Sequence, residues 1–119
     1  MTTLNRDSFL KPFTVPQEVV ELPELGGSVI VRGMTARQRS EFERQFQTPA
    51  GKPSKSRQAE VRERLIIACV VDDDGNALFT VDDIEAIGKQ SAAIVERIVN
   101  VAQRLCGITD TDVEDMAKN

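Results

Sequence analysis

Residues 62–88, RERLIIACVVDDDGNALFTVDDIEAIG, contain the segment that decides the fold. Every position from 65 to 71 is apolar, which predicts an element buried on most sides. The charged residues 57–64 continue the same segment to about 14 residues, and this length favours a helix over a strand. The last two residues, Val70 and Val71, are β-branched, so the final turn can already be extended. We therefore expect a central helix that other elements cover.

Residues 72–75, Asp-Asp-Asp-Gly, end the apolar run and predict a tight turn in which the glycine takes a positive φ angle. The cluster does not fit an EF-hand calcium loop, because the first and last ligand positions would fall on Val70 and Val81. A metal site of another kind, built from Asp72 and Asp74 with Asp82 or Asp83, stays open as an alternative. We adopt the turn and predict no metal site.

Two short segments upstream predict a β-hairpin. Residues 18–22 and 28–32 are strand candidates, and the five residues 23–27 between them include two glycines. In the second segment Val29 and Val31 alternate with the other positions, as in a half-buried strand. A two-stranded hairpin alone is only marginally stable, so it is expected to pack on helices.

Thr35 and Gln38 form a capping-box pattern that predicts a helix over residues 36–47. Phe42 and Phe46 are spaced i, i+4 and therefore share one side of that helix. Together with three arginines they make up the candidate partner-binding site: Arg37, Arg39, Phe42, Arg44 and Phe46. The alternative is that the arginines only keep an amphipathic helix soluble.

A short helix is predicted after the acidic turn, with Thr80 as N-cap and Asp83 three positions later. Gly88 is suited to end this helix as its C′ residue. A third capping pattern, Thr111 with Glu114, predicts a final helical turn or two.

The longest amphipathic pattern lies between these elements, with Ser91 as the candidate N-cap and Gly107 at its end. Its apolar residues recur with helical spacing, and they are Val95, Ile98, Val99, Ala102, Leu105 and Cys106. The polar residues of the segment, Gln103 among them, are predicted to face outward.

These elements fit one domain, as suits a chain of 119 residues. Residues 1–14 are predicted to form an N-terminal arm, in which Phe9 or Phe13 either enters the core or stays mobile. Residues 15–119 form the single helix-rich domain, with a mobile loop at residues 48–56 that is rich in Pro, Gly, Ser and Lys. The predicted fold class is α+β dominated by helices, with a small N-terminal β-hairpin packed on about four or five short helices.

The composition excludes several kinds of site. Without histidine, the chain has no His-based nucleophilic catalysis and no His-containing zinc site. Cys69 and Cys106 lie in apolar surroundings without a CxxC spacing and are interpreted as buried, reduced thiols. No catalytic set or cofactor motif is recognisable. We therefore predict a protein that acts by binding, is not an enzyme and needs no cofactor.

Charge and hydropathy limit which partners and which cellular location are expected. Residues 35–64 hold eight Lys/Arg and four Asp/Glu, a net charge of +4, which indicates either a contact surface or a solvated face. The basic residues 52–64 have no aromatic residues among them, so nucleic acid is not an expected partner. No apolar run is long enough to span a membrane, and the N-terminus lacks a signal-peptide pattern. We expect no membrane partner and a cytoplasmic location.

Several segments, in this order, resemble the tail assembly chaperones of long-tailed bacteriophages. They are LGGSVIVRGMT (residues 25–35) with Arg39 and Phe42-Glu43, CVVDDDGNALFT (69–80) with Asp83-Ile84, SAA (91–93) and VAQRLCG (101–107). The resemblance covers about residues 15–118. The family often has Trp where Leu25 stands, and the loop with Lys and Pro varies. Neither departure touches a catalytic motif, because the family has none.

The resemblance implies a non-enzymatic role in assembly. Such proteins bind the long tape-measure protein, keep it soluble, help to recruit the tail-tube (major tail) protein and are absent from the finished virion. The expected setting is the host cytoplasm during assembly of a phage or prophage. Self-association and a longer, frameshifted form stay open. The alternative functions are a structural tail or head–tail joining protein that remains in the virion, and a carboxylate-based, metal-dependent enzyme.

Overall fold

The computed structural model describes residues 1–117, which form seven helices and one three-stranded antiparallel sheet. In chain order the elements are α1 (Arg6–Leu10), β1 (Gln17–Leu22), β2 (Gly27–Arg32), α2 (Ala36–Arg44), α3 (Lys55–Gln58), α4 (Val61–Cys69), β3 (Val70–Val71), α5 (Ile84–Gly88), α6 (Ala92–Cys106) and α7 (Asp110–Ala117). One turn of 3-10 helix, Pro23–Leu25, joins β1 to β2, and another, Val81–Asp83, leads into α5. The predicted class, an α+β fold dominated by helices, is confirmed.

The predicted hairpin forms from β1 and β2, which pair antiparallel over their full lengths. The third strand, β3, pairs with the other edge of β2, where Val71 lies opposite Ile30. Because β3 follows α4 without a linker, the expected change to extended backbone at Val70 is confirmed. The central segment therefore supplies both a core helix and a strand.

The charged residues 57–64 belong only in part to the central helix, contrary to the prediction: residues 61–64 lie in α4, whereas residues 57–60 precede it. α3 ends at Gln58, Glu60 has φ −109° and ψ 20°, and α4 starts only at Val61. Neither proline nor glycine marks this break, so the sequence pattern carried no signal for it. The prediction of a buried centre is confirmed, since Leu65 and Ile66 are almost fully buried in α4.

The core is aliphatic and centres on α6, which packs against α4, β1 and β2. The predicted apolar stripe of α6 is buried at Val95, Ile98, Val99 and Ala102, and partly buried at Leu105 and Cys106. The outward placement predicted for Gln103 is wrong, because its side chain is buried. Its amide donates a hydrogen bond of 2.9 Å to Asp110 Oδ1. This bond removes the cost of burying an unpaired amide.

Two predicted capping boxes are confirmed. At the start of α2, Thr35 N–H donates to Gln38 Oε1 at 2.9 Å, and Gln38 N–H donates to Thr35 Oγ1 at 3.2 Å. Before α5, Thr80 N–H donates to Asp83 Oδ2 at 2.8 Å. These bonds satisfy amides that have no partner within the helix.

The third predicted box, at residues 111–114, is wrong, because α7 begins earlier. Thr109 N–H donates to Asp112 Oδ2 at 2.9 Å, and Asp112 N–H donates back to Thr109 Oγ1 at 3.0 Å. Both positions satisfy the capping rule, but only the earlier one is flanked by two buried apolar residues. These are Ile108 and Val113, which occupy the N′ and N4 positions of a hydrophobic staple.

The predicted helix ends differ in their outcome. Gly107 ends α6 in the left-handed conformation at φ 69°, as predicted. The C′ role predicted for Gly88 is wrong, since this residue is the last of α5 and has no positive φ angle. The amide of Lys89 instead closes the last turn on the carbonyl of Glu85. Ser91 occupies the N-cap position of α6 without a side-chain capping bond.

The N-terminal arm lies outside the core. α1 has no buried residue, and Phe9 and Phe13 are both exposed, so neither aromatic side chain enters the core. Within residues 48–56 the chain turns back on itself, and Thr48 N–H donates to the carbonyl of Lys52. The domain boundary and the mobility of this loop stay predictions. None of the described helices is long and apolar enough to cross a membrane.

Candidate functional site

The two phenylalanines of the candidate partner-binding site are interior side chains: Phe42 lies on α2, and Phe46 lies in the turn after it, because α2 ends at Arg44, before the predicted residue 47. Phe42 is 4% exposed and Phe46 is 3% exposed. Their ring centroids lie 5.2 Å apart in an edge-to-face arrangement, which is a favourable geometry for aromatic pairs. In this conformation α2 offers a partner its polar side chains and not these rings.

The three arginines of the site occupy different environments. Arg37 and Arg44 are exposed on α2. Arg39 is half-buried, and it donates to the carbonyl oxygen of Gly107 at 3.1 Å and to Asp112 Oδ2 at 3.4 Å. Arg39 thus joins α2 to the turn between α6 and α7. The five predicted residues do not form one surface, and their role in binding stays a prediction.

An apolar groove of about 270 Å³ opens between the tip of the hairpin, α5 and the first half of α6. Its main apolar lining comes from Leu22, Leu25, Val29, Phe79, Ile94 and Ile98. Polar atoms are few along this lining, with Asp83 and Gln90 among the lining residues. Leu25 is 57% exposed, so a large apolar side chain stands in solvent at the edge of the groove. A concave surface of this kind can bind apolar side chains of a partner.

Ion pairs hold the hairpin wall of the groove on α6. Arg97 donates from its two terminal nitrogens to the two carboxylate oxygens of Glu24, at 2.9 and 2.7 Å. Arg104 Nη2 donates to Glu18 Oε2 at 2.8 Å. The bonds from Arg97 lower the pKa of Glu24 to about 2. Because Glu24 directly precedes Leu25, the bidentate pair helps to fix this lining residue.

The acidic turn is a hydrogen-bonded loop. Asp72 Oδ1 accepts from the backbone N–H groups of Asp74 at 2.9 Å and Asn76 at 3.0 Å, and Gly75 has φ 84°. The interpretation of this segment as a turn with a left-handed glycine is confirmed. Within residues 1–117 no group of three or more Cys, Asp or Glu side chains is arranged to hold a metal ion.

Two cysteines meet where α4 and α6 end. Cys69 Sγ and Cys106 Sγ lie 3.6 Å apart, and both thiols are free. Cys69 is fully buried, as predicted, whereas Cys106 is only partly buried. No motif spacing pairs them, because 36 positions, residues 70–105, separate them.

The groove was missed by sequence reasoning. Leu25 lies in a hairpin loop and Phe79 in the segment between β3 and α5, and neither belongs to a periodic pattern. The available signal was the presence of large apolar residues in segments rich in turn residues. Such residues must either enter the core or stand exposed, and Leu25 is exposed.

Comparison with known proteins finds a family match and a structural match. The profile of a family described as phage tail assembly chaperone matches residues 11–119. Among solved structures, the tail assembly chaperone of bacteriophage HK97 superposes with a TM-score of 0.58 at 20% sequence identity. The alignment covers 88% of this chain and 94% of that chain, and at this identity it shows a shared fold. Comparison with curated protein sequences gives no match.

Proposed function

Because the chain belongs to the family of phage tail assembly chaperones, we propose that it binds an amphipathic helical segment of the tape-measure protein and keeps it soluble. The observation that carries this proposal is the family match, which extends over residues 11–119. It agrees with the resemblance found in the sequence. The apolar groove adds a place where such a segment can bind.

The proposed contact is the apolar groove at the edge of which Leu25 stands. An amphipathic helix binds by placing the apolar side chains of one face into a groove of this kind. Burial of one Leu or Phe side chain contributes about 1.5–3 kcal/mol, and the ordering of both partners offsets part of this gain. A single groove therefore supports weak binding. Many copies along one long partner supply the total affinity.

The basic segment of residues 35–64 is proposed to contribute electrostatic steering. Arg37 and Arg44 are exposed and lie within residues 35–64, which carry a net charge of +4. Charges at the rim of an interface raise the association rate and its salt sensitivity more than the final affinity. A tape-measure protein with acidic residues as well as an apolar stripe would be attracted to this segment and could bind in the groove.

The proposal extends to the rest of the family's role. We place the chain in the host cytoplasm during phage assembly, where it helps to recruit the tail-tube protein and does not remain in the finished virion. Self-association along the tape-measure protein is compatible with repeated weak contacts. The role requires no catalysis, metal or cofactor.

Two matched variants test the groove. Leu25→Asp places a charge at the groove, and Val81→Asp places the same charge at a site that is 61% exposed and does not line it. Val81 is the first residue of the 3-10 turn before α5, where an acidic residue is compatible with a helix start. Each purified variant is mixed with a tape-measure segment, and co-elution is scored by size-exclusion chromatography.

The groove proposal predicts that Leu25→Asp loses co-elution, while Val81→Asp and the unmodified chain retain it. Circular dichroism of both variants checks that the fold is intact. Equal co-elution of both variants would move the contact away from the groove while leaving the chaperone role in place. No co-elution by the unmodified chain, together with a stoichiometric band in washed virions, would replace the role with that of a structural tail protein.

A further inference from the structure

The geometry of the cysteine pair at the ends of α4 and α6 favours a reaction that the proposed chaperone role does not require. The two sulfur atoms are 3.6 Å apart, which is van der Waals contact for unbonded sulfur. Cys69 is the last residue of α4 and Cys106 the last residue of α6. Directly after them, the backbone leaves the helix, into β3 in one case and into the Gly107 turn in the other.

The surroundings divide the two thiols into different roles. Cys69 Sγ and Cys106 Sγ are within hydrogen-bond distance of each other, and this contact is the main cause that lowers the pKa of Cys106. The backbone N–H of Met34 and the charge of Arg39 act in the same direction. The same contact and burial raise the pKa of Cys69. Cys106, which is also the more exposed of the two, is therefore the nucleophilic thiolate.

We propose that Cys69 and Cys106 form a redox-sensitive dithiol, which a peroxide oxidises to an intramolecular disulfide. The Cys106 thiolate attacks one peroxide oxygen, the O–O bond breaks, and hydroxide leaves to become water. Cys106 is then a sulfenic acid. Cys69 sulfur attacks Cys106 sulfur, the S–O bond breaks, and the hydroxide leaves with the Cys69 proton as a second water. Two thiols are oxidised by two electrons, and one peroxide is reduced to two water molecules.

The geometry favours this product over further oxidation of Cys106. Closing the bond requires the sulfur atoms to approach from 3.6 Å to about 2.0 Å. Both residues end a helix, so small side-chain rotations and local shifts suffice. Since Cys69 is already in contact, it can trap the sulfenic acid before a second peroxide reaches it. Its burial keeps other thiols away from the same reaction.

The disulfide would close a loop across residues 70–105, 36 positions that include the acidic turn, α5 and most of α6. A cross-link over a loop of this length restricts the unfolded chain. We expect the melting temperature to rise by roughly 5–15 °C on oxidation and to return on reduction. The groove-lining residues of α5 and α6 lie inside this loop, so oxidation would also make that wall of the groove harder to open.

The test treats the full chain with one equivalent of hydrogen peroxide and analyses it by intact mass and peptide mapping. The expected product is a monomer that has lost two hydrogen atoms, with a Cys69–Cys106 cross-linked peptide and a raised melting temperature, all reversed by dithiothreitol. Cys69→Ala is expected to add oxygen atoms at Cys106 instead, because the resolving thiol is gone. Cys106→Ser is expected to react much more slowly, by tenfold or more.

Three results would overturn the proposal. One is oxygen addition at Cys106 in the unmodified chain while Cys69 remains alkylatable after unfolding. Another is a disulfide-linked dimer as the main product. The third is equal reaction rates for the unmodified chain and Cys106→Ser. Because the readouts are mass and melting temperature, they are independent of the tape-measure proposal. Should Cys69→Ala fail to fold, rapid alkylation of Cys106 before and after oxidation of the unmodified chain gives the same decision.

Discussion

Replacing Gly33 with alanine tests how the end of the hairpin packs on α6. Gly33 follows β2, is buried, and its N–H donates to the carbonyl of Pro16 at 2.9 Å. A Cβ atom at this position would lie 2.8 Å from the carbonyl oxygen of Leu105 and 3.3 Å from its carbonyl carbon. These atoms belong to the backbone of α6. The overlap can therefore be relieved only by moving the helix or the hairpin.

The expected cost follows from this overlap. An extra carbon in a close-packed site costs about 1–3 kcal/mol, and the loss of glycine freedom in the unfolded chain offsets about 0.4–1 kcal/mol. We expect Gly33→Ala to lower the free energy of unfolding by about 1–2 kcal/mol. With about 2.1 cal/mol/K of unfolding entropy per residue, the melting temperature should fall by roughly 4–8 °C.

Gly27→Ala is the matched control, because Gly27 is the first residue of β2 and Gly33 directly follows the last. A Cβ atom there meets nothing within 4 Å, and the residue has no positive φ angle. Its stability should stay unchanged or rise slightly. Thermal unfolding by circular dichroism and urea titration measure both variants. If the two lose the same stability within about 0.5 kcal/mol, the close approach of Gly33 to α6 is wrong.

Three further predictions test other parts of the fold. Val99→Asp should unfold the domain or destabilise it by several kcal/mol, because Val99 is buried on α6. Glu96→Ala, on the exposed face of the same helix, should change the free energy of unfolding by under ~0.5 kcal/mol. Equal effects of the two variants in urea titration would mean that the buried face of α6 is assigned wrongly. Limited proteolysis with trypsin should cut first within residues 48–56, and early cuts in α4 would contradict its place in the core. The pKa of Glu24 is lowered from 4.5 to about 2 by Arg97, so its stabilising effect is present above pH 4.5 and lost as the pH falls towards 2. Glu24→Gln should make the melting temperature depend less on pH over that range. An unchanged pH dependence in this variant would mean that the Glu24–Arg97 ion pair does not stabilise the fold.

Three elements of the fold could be predicted from patterns among residues that are close together in the sequence. The hairpin followed from alternating residues and two glycines, and the start of α2 followed from Thr35 with Gln38. The amphipathic stripe of α6 placed its core face correctly. Each of these patterns depends on neighbours within a few positions, so the sequence alone contains the needed information.

The remaining features depend on tertiary contacts. Gln103 is polar by type but is buried because Asp110, brought near by the Gly107 turn, accepts from its amide. The capping of α7 by Thr109 was decided by buried flanking residues and not by the capping pattern. The break between α3 and α4 has no sequence marker. The groove and the Cys69–Cys106 pair each combine segments far apart in the chain, which no periodicity or spacing can join.

The most direct measurement of the central claim is the soluble yield of the tape-measure protein expressed with and without this chain. The chaperone account predicts that the tape-measure protein is largely insoluble alone and that co-expression brings it into the soluble fraction in a complex with this chain. An equal soluble yield in both cultures, with no complex on purification, would contradict the account.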